Sequence, residues 1–246
     1  MKWSSRFGLW RSWLMYYAKP FNRKKLKNFY RQFLRTGDLA FDIGAHLGNR
    51  TQAWIDLGVN VVAIEPQPVC IDYLQGRFSG VPGFTLLPFA LGPLEDDLLF
   101  KISRLHPTLS TGRDEDWQKN INKYSTLKAN WQEKIVVKQH TLDQLISRYG
   151  VPRFCKIDTE GFEWEVIQGL HQVLPQLSIE FLAFDKMRII SCIERLAALG
   201  DYTLNFSFGE SQQWYWQEWQ SARFVIDFIR DDRYPRIFGD LYFKIN

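Results

Sequence analysis

The sequence has few cysteines that could cross-link a fold, and it has no apolar segment long enough to predict a membrane span. Only three cysteines occur in 246 residues, and Cys70, Cys155 and Cys192 lack the spacing of a metal site. They predict reduced thiols in a cytoplasmic protein. No run of roughly 18 apolar residues is present, so no transmembrane helix is expected. A basic-then-apolar leader with a small-residue cleavage site is also missing, so secretion is not expected.

Acidic residues are absent from the N-terminal segment. Residues 1–37 hold ten Lys/Arg and no Asp/Glu, whereas the remainder carries 21 Lys/Arg against 27 Asp/Glu. Trp3, Phe7, Trp10 and Leu14 recur at helical spacing with the cations off that stripe. This pattern is typical of a helix packed on a core or of a helix lying in a membrane interface. Nucleic-acid contact is a weaker reading, because the rest of the chain is net acidic.

From Asp38 onwards, strand and helix patterns alternate along the chain. This alternation predicts one α/β domain over residues 38–246, with a mostly parallel sheet and helices on both faces. The carboxyl ends of the parallel strands then meet at one edge, where ligands bind. Strands are expected near 39–43, 60–65, 84–89, 153–158, 178–184, 202–208 and 240–245, and helices near 50–58, 68–78, 162–170 and 188–199.

An insertion over residues 94–135 interrupts this alternation. Short strands are expected at 98–103 and 134–139, and the polar stretch between them shows little apolar periodicity. Insertions of this length in compact domains are usually functional or disordered. Its position after the third strand predicts a lid or a substrate wall, and His106 within it is an alternative catalytic base.

The turn after the first strand has the spacing of a nucleoside site. Asp42, Gly44 and Gly48 form a D-x-G-x-x-x-G pattern, and Glu65 follows 21 residues after Gly44, at the end of the next strand. The pattern lacks the G-x-G-x-x-G that cradles a pyrophosphate, so a nucleoside without phosphate is favoured, with S-adenosylmethionine as the candidate. Glu65 is expected to accept the two ribose hydroxyls, and the following helix, capped by Asn49 or Thr51, would face the methionine carboxylate.

A second polar turn follows the fourth predicted strand. Lys156, Asp158, Glu160 and Glu163 lie at a strand-to-helix boundary, where such charges are costly to assemble unless they hold something. Asp158 is expected to face the methyl-donor end of the cofactor, and Glu160 or Glu163 to orient or deprotonate a substrate hydroxyl. Glu165 is expected only to interact favourably with the helix dipole at the N-terminus, without a role in the site. The four histidines show no ligand spacing, so no metal is predicted.

These motifs together resemble the FkbM family of S-adenosylmethionine-dependent methyltransferases. The resemblance covers about residues 38–185 and implies a Rossmann-like class I methyltransferase fold, with seven strands and an antiparallel last strand. It implies O-methylation of a hydroxyl on a sugar, polyketide or similar metabolite. His46 stands where the family usually has asparagine. The implied cofactor-binding residues are Asp42, Gly44, Ala45, His46, Gly48, Asn49, Thr51, Glu65, Pro66, Ala90, Leu91 and Asp158, and the implied catalytic residues are Asp158, Glu160 and Lys156.

The sequence therefore favours an O-methyltransferase acting on a sugar, glycan, glycolipid or secondary metabolite. An RNA 2′-O-methyltransferase and a non-catalytic membrane-surface binding protein are the alternatives, and homodimer formation is left open. The aromatic segment Trp214–Trp219 is interpreted mainly as core packing, with sugar stacking or a partner contact as the alternative. Cytoplasmic localisation is expected, with peripheral contact to the inner membrane surface through residues 1–37 as an option.

The membrane reading of residues 1–37 predicts binding to anionic vesicles. The intact chain should float with the vesicles in a density gradient, whereas a chain without this segment should stay in solution. Equal flotation of the two chains would rule out anchoring by this segment.

Overall fold

The computed structural model describes residues 22–104, 106–124, 130–231 and 239–246. Within them, a large central sheet is covered by helices, and a small second sheet stands beside it. The strands are β1 (Leu39–Ile43), β2 (Asn60–Ile64), β3 (Phe84–Leu87), β4 (Ala90–Leu91), β5 (Asp96–Ile102), β6 (Glu133–His140), β7 (Phe154–Ile157), β8 (Gln176–Phe181), β9 (Tyr202–Phe208), β10 (Gln220–Ser221) and β11 (Gly239–Ile245). The helices are α1 (Asn22–Tyr30), α2 (Asn49–Ile55), α3 (Pro68–Phe78), α4 (Glu115–Tyr124), α5 (Leu142–Tyr149), α6 (Glu163–Gln168), α7 (Lys186–Leu199) and α8 (Ala222–Arg230), with 3-10 turns at Pro107–Leu109 and Ala183–Asp185.

The central sheet has the order β10-β9-β11-β8-β7-β1-β2-β3. Strands β3, β2, β1, β7 and β8 pair in parallel, and β11 runs antiparallel to both of its neighbours, β8 and β9. The seven predicted strands all lie in this sheet, and the two-residue edge strand β10 is an addition. This order with a reversed last strand confirms the class I methyltransferase fold.

The middle strands are apolar because helices cover the sheet on both faces. All four residues of β7 are buried, as are the last four of β1. Asp42 in β1 and Lys156 in β7 depart from this apolar pattern, and the side chain of Lys156 is fully buried. A buried cation of this kind requires partners.

The insertion forms the second sheet, with the order β4-β6-β5. Strands β5 and β6 pair antiparallel from Asp96 with Gln139 to Ile102 with Glu133, close to the two short strands that were expected. Between these strands the structure forms α4, a helix that was not among those expected. Among the side chains of this helix that the structure describes, Trp117 and Ile121 are the buried ones. They lie one turn apart and are too few to show as a period.

Part of the basic N-terminal segment packs on the core. Leu26, Phe29 and Tyr30 of α1 are buried, together with Phe33 and Leu34 just after it. The rings of Phe29, Tyr30 and Phe33 contact aromatic rings of the central sheet. The stripe of apolar residues predicted between positions 3 and 14 lies outside the described residues. A flotation experiment should therefore remove residues 1–21 and leave α1 in place.

The described part of the chain has no helix that is both long and apolar enough to cross a bilayer. The aromatic segment near β10 lies on the periphery of the core. Trp214 packs beside Phe29, with ring centroids 5.0 Å apart, and donates its indole N–H to Gln32. Trp216 packs against Phe228, and Trp219 against Trp214. All three tryptophans are partly buried, so the interpretation as packing holds without any of them lying in the deep core.

Removal of the Phe33 ring should destabilise the whole domain. Phe33 stacks on Tyr242 of β11 with centroids 5.7 Å apart and an interplanar angle of 3°. Phe33→Ala should lower the free energy of unfolding by about 3–5 kcal/mol, the usual range for a buried ring. Urea denaturation would measure it, with the exposed Lys24→Ala on α1 as the matched control. A loss as small as the control's would mean that this segment does not support the core.

Candidate active site

An open cavity of about 810 Å³ lies at the carboxyl ends of β1, β2 and β7. Most of the predicted site residues converge there, from separate turns that follow these strands and from β4. Of the predicted cofactor-binding residues, the cavity is lined by Asp42, Gly44, Ala45, His46, Asn49, Glu65, Pro66, Ala90, Leu91 and Asp158. Glu160 also lines the cavity, whereas Gly48, Thr51 and Lys156 do not.

The turns after β1 and β7 touch through backbone alone. Gly44 has a φ of 80°, in the left-handed region, and a Cβ there would lie 1.8 Å from the carbonyl oxygen of Asp158. Only glycine fits this approach, because the backbone of the second turn occupies the space of a side chain. The residue thus sets how close Asp158 comes to the cofactor turn.

Asp42 is the acceptor at the start of α2. Its Oδ2 accepts the backbone N–H of Thr51 at 3.1 Å and the hydroxyl of Thr51 at 2.5 Å. The expectation that Asn49 or Thr51 caps the helix was wrong, because Gly48 occupies the N-cap position and Asp42 supplies the oxygen from the preceding strand. Burial raises the pKa of Asp42, and the Thr51 hydroxyl and the Arg50 charge oppose that rise.

Glu65 is held by backbone donors on both carboxylate oxygens. Oε2 accepts the N–H of His46 at 2.7 Å, and Oε1 accepts the N–H of Gln67 at 2.9 Å. Each oxygen keeps a further lone pair for a ligand hydroxyl. Burial raises the pKa of Glu65 to about 7, although the two backbone donors act to lower it.

His46 lies in the same turn, with a φ of 49°. Burial lowers the pKa of its imidazole to about 4, so the ring is neutral at physiological pH. Its backbone N–H positions Glu65, and this role does not depend on the identity of the side chain. The substitution of histidine for the family's asparagine therefore leaves that contact intact.

The acidic turn after β7 divides its carboxylates between two tasks. Glu163 Oε1 accepts the N–H of Thr159 at 2.8 Å, the hydroxyl of Thr159 at 3.0 Å and the N–H of Gly161 at 3.2 Å. It therefore braces the turn and does not line the main cavity. Glu160 lines the cavity and has a φ of 54°, a conformation that costs about 1–3 kcal/mol outside glycine and clusters at functional sites.

The pKa values of Asp158 and Glu160 are shifted in opposite directions. Burial acts to raise the pKa of Asp158, but Lys156 and Arg50 lower it below its ordinary range. Burial raises the pKa of Glu160 well above its ordinary range, and Asp158 and Glu163 add to that rise. Two carboxyl groups with separated pKa values are what acid–base chemistry needs at neutral pH.

Lys156 lies beneath the floor of the cavity and not in it. Its side chain is fully buried, and Nζ contacts Asp240 Oδ1 at 2.7 Å and Asp158 Oδ2 at 3.1 Å. Burial acts to lower the pKa of Lys156, but the two carboxylates raise it above its ordinary range. The prediction that Lys156 acts directly in catalysis is not supported by this position, which makes it a partner of Asp158.

Carboxylate oxygens of Asp158, Glu160 and Glu180 lie within 4.8 Å of one another. This donor set has the chemistry of a divalent cation site. Burial raises the pKa of Glu180 well above its ordinary range, and the neighbouring acids Asp158, Glu160 and Glu163 add to this. A bound proton at Glu160 or Glu180 can therefore replace a cation in relieving the repulsion.

The insertion supplies the outer wall of the cavity. Its lining residues are Leu98, Phe100, Pro107, Thr108, Ser110 and Gly112. The Gln67 side chain donates to the carbonyl of Pro107 at 3.1 Å, which joins the cofactor turn to the insertion. Trp117 of α4 packs on Gly161, where a Cβ would lie 2.1 Å from the indole nitrogen. The insertion thus contacts the turns that follow β2 and β7, and its role as a substrate wall stays a prediction. His106 does not line the cavity.

Sequence reasoning missed Arg50 and Asp240. Arg50 lines the cavity from α2, and its guanidinium lies 3.8 Å from Asp158 and 3.6 Å from Asp240. The signal present was the charge of Lys156 in a strand that is otherwise apolar, which indicates a buried partner without identifying it. Such charges in central strands are expected to pair. Glu165 is also more than helix decoration, since it bonds Arg188 and lies 3.5 Å from Arg113 of the insertion.

Comparison with known proteins identifies the family. The profile described as Methyltransferase FkbM domain matches residues 42–235. The chain belongs to the FkbM methyltransferase family. The matched domain is a methyltransferase domain, which implies S-adenosylmethionine as the methyl donor.

A curated relative and several solved structures are similar to the chain. The hexuronic acid methyltransferase AglP of Haloferax volcanii is 28% identical over 146 residues, which cover 57% of this chain and 53% of the relative. The chain thus matches about half the length of this relative. A precorrin-6Y C5,15-methyltransferase of Geobacter metallireducens has a TM-score of 0.47 at 10% identity, covering 90% of this chain and 87% of that one. A TehB-like methyltransferase of Corynebacterium glutamicum has a TM-score of 0.44 at 12% identity, covering 96% and 94%.

The residues present fit S-adenosylmethionine. Glu65 offers two carboxylate oxygens to a pair of vicinal hydroxyls, and the backbone at Gly44 leaves space that a side chain would fill. Ala90 and Leu91 add apolar surface suited to a flat base.

Cofactor affinity should fall at low pH because of Glu65. The ribose hydroxyls donate to the ionised carboxylate, whose pKa is about 7. The dissociation constant of S-adenosylhomocysteine should therefore be flat above that pH and rise by about tenfold per pH unit below it. Calorimetry across this range would measure the slope. Glu65→Gln should bind about 2–3 kcal/mol more weakly at high pH and lose the slope, whereas the exposed Glu218→Gln should match the wild type. A slope retained in Glu65→Gln would assign the titration to another group.

Proposed function

We propose that this methyltransferase transfers a methyl group to a hydroxyl of a sugar or glycan, a glycolipid or a secondary metabolite. The observation that carries the proposal is Glu160, a carboxyl group of raised pKa held in the cavity by a left-handed backbone. A hydroxyl nucleophile needs such a base, whereas a stronger nucleophile does not. The hexuronic acid methyltransferase relative supports a sugar acceptor.

The protein's own residues bind the cofactor, orient the acceptor hydroxyl and remove its proton. S-adenosylmethionine supplies an electrophilic methyl group on a sulfonium, so the protein contributes mainly position. Glu65 holds the ribose, and Asp158 lies between the cofactor turn and the acceptor side of the cavity. Glu160 accepts the hydroxyl proton as the new bond forms. The positive charges of Lys156 and Arg50 lie next to the Asp158 carboxylate and keep it ionised.

The insertion gives the acceptor side its shape. The hydroxyls of Thr108 and Ser110 and the apolar faces of Leu98 and Phe100 lie along one wall of the cavity. This mixture suits a sugar or polyketide ring, which presents both hydroxyls and apolar faces. Asp158 and Glu160 line the cavity and make it acidic, although Lys156 and Arg50 lie next to them. An acidic cavity disfavours a polyanion such as RNA, so an RNA 2′-hydroxyl is the weaker alternative.

Membrane contact and dimer formation stay predictions. In the described residues, the apolar side of α1 faces the core, with Leu26, Phe29 and Tyr30 all buried. Peripheral binding to a membrane would therefore depend on residues 1–21. A lipid-linked glycan is the acceptor that would unite membrane contact with the proposed chemistry.

The acceptor class is tested by transfer of labelled methyl groups to a panel of uronic acids, neutral hexosides, macrolide alcohols and short RNA. We expect transfer to a sugar or metabolite hydroxyl, with kcat rising with pH because Glu160 acts as the ionised base. Glu160→Gln should lower kcat by about 10²–10⁴-fold and remove the pH dependence. Glu115→Gln, an exposed acid on α4, should leave kcat unchanged.

Methylation of RNA alone, or kcat independent of Glu160, would contradict the proposal.

The same assay with EDTA tests the absence of a metal requirement. Transfer should persist, because Lys156 and Arg50 already provide positive charge at the floor. Loss of transfer with EDTA, restored by Mg²⁺, would instead assign an ion to Asp158, Glu160 and Glu180.

A further inference from the structure

Asp240 of β11 faces the underside of the acidic turn, and no motif points to it. It is 6% exposed, and its Oδ1 lies 2.7 Å from Lys156 Nζ. Its Oδ2 accepts the hydroxyl of Tyr242 at 3.4 Å and lies 3.6 Å from Arg50. Asp240 does not line the cavity, so it acts on a ligand only through these neighbours.

The Lys156 ammonium joins Asp240 to Asp158. Nζ is closer to Asp240 than to Asp158, at 2.7 Å against 3.1 Å, and no part of the side chain reaches solvent. A buried ammonium holds a full charge that its neighbours must neutralise. Because the two carboxylates share this cation, the position of each depends on the charge of the other.

Arg50 completes the charge balance around Asp158. Its guanidinium lies 3.8 Å from Asp158 and 3.6 Å from both Asp240 and Glu210. Within the described part of the chain, its buried Nε has no hydrogen-bond partner. Glu210 is 43% exposed at its side chain, so solvent screens it. Two buried cations thus face the buried carboxylate of Asp240 and the partly buried carboxylate of Asp158, which reaches the cavity.

We propose that Asp240 is a positioning residue for methyl transfer, because it holds Lys156 back and so leaves the Asp158 carboxylate facing the cavity. Without the charge of Asp240, Lys156 and Arg50 both turn to Asp158 and draw its carboxylate towards the floor. The inference rests on the proposed function only in its effect on kcat. The effect on the position of Asp158 holds for any ligand.

The test is Asp240→Asn, with two separate readouts. The first is the carboxyl carbon resonance of Asp158 in protein labelled at aspartate, assigned with Asp158→Asn, and this resonance should shift in Asp240→Asn. The second is methyl transfer to the best acceptor of the panel. Here kcat should fall on the order of 10- to 100-fold. The affinity for S-adenosylhomocysteine should stay within about threefold, because the ribose is held by Glu65.

Tyr202→Phe is the matched control for lost stability. Tyr202 is 4% exposed on β9, and its hydroxyl bonds the backbone of Leu174 away from the cavity. The variant loses buried hydrogen bonds in the same half of the sheet and should change neither readout. Asp240→Glu keeps the charge and should recover much of kcat, and it provides a folded variant if Asp240→Asn unfolds.

An unchanged Asp158 resonance in Asp240→Asn would overturn the positioning role, whatever the acceptor proves to be. Equal losses of kcat in Asp240→Asn and Tyr202→Phe would also overturn it, since the effect would then follow stability alone. A shifted resonance in a protein that methylates no acceptor would instead contradict the proposed function and keep the positioning role.

Discussion

The structure depends on one buried positive charge. Lys156 lies in the middle of β7, where every neighbouring residue of the strand is apolar and buried. Its ammonium has no access to solvent, so the sheet must supply carboxylates on the same face. Asp158 comes from the end of the same strand, and Asp240 comes from β11, two strands away in the sheet. Lys156 therefore links the reversed last strand electrostatically to the acidic turn at the cavity.

The two halves of the cavity are built by different means. The cofactor half is set by backbone, through the close approach of Gly44 to Asp158 and the two N–H groups that hold Glu65. Backbone contacts of this kind tolerate side-chain changes, as His46 shows. The acceptor half is set by side chains of the insertion, such as Leu98 and Phe100. Such a division lets one member of a family keep its cofactor while its acceptor differs.

Much of the fold and of the cofactor half was predictable from the sequence, because short apolar runs ending in glycine or acid mark the strand ends. The exceptions have physical reasons. Helix α4 has two buried positions among its described side chains, too few for a period. The Asp42 cap requires knowledge of how the preceding strand meets the helix. Lys156 appeared catalytic because sequence places it beside Asp158 without showing that β11 brings Asp240 beneath it. Contacts between strands distant in sequence are what patterning cannot supply.

The hydrogen bond from Gln67 to the carbonyl of Pro107 has a thermodynamic consequence. Gln67 donates its backbone N–H to Glu65, the proposed ribose ligand, and Pro107 belongs to the proposed acceptor wall. If either ligand orders this contact, it lowers the conformational entropy that the other ligand must remove. The two binding events are then coupled, and the coupling free energy is the same in both directions. Departure of the demethylated cofactor would then loosen the acceptor wall, so that release of one product promotes release of the other.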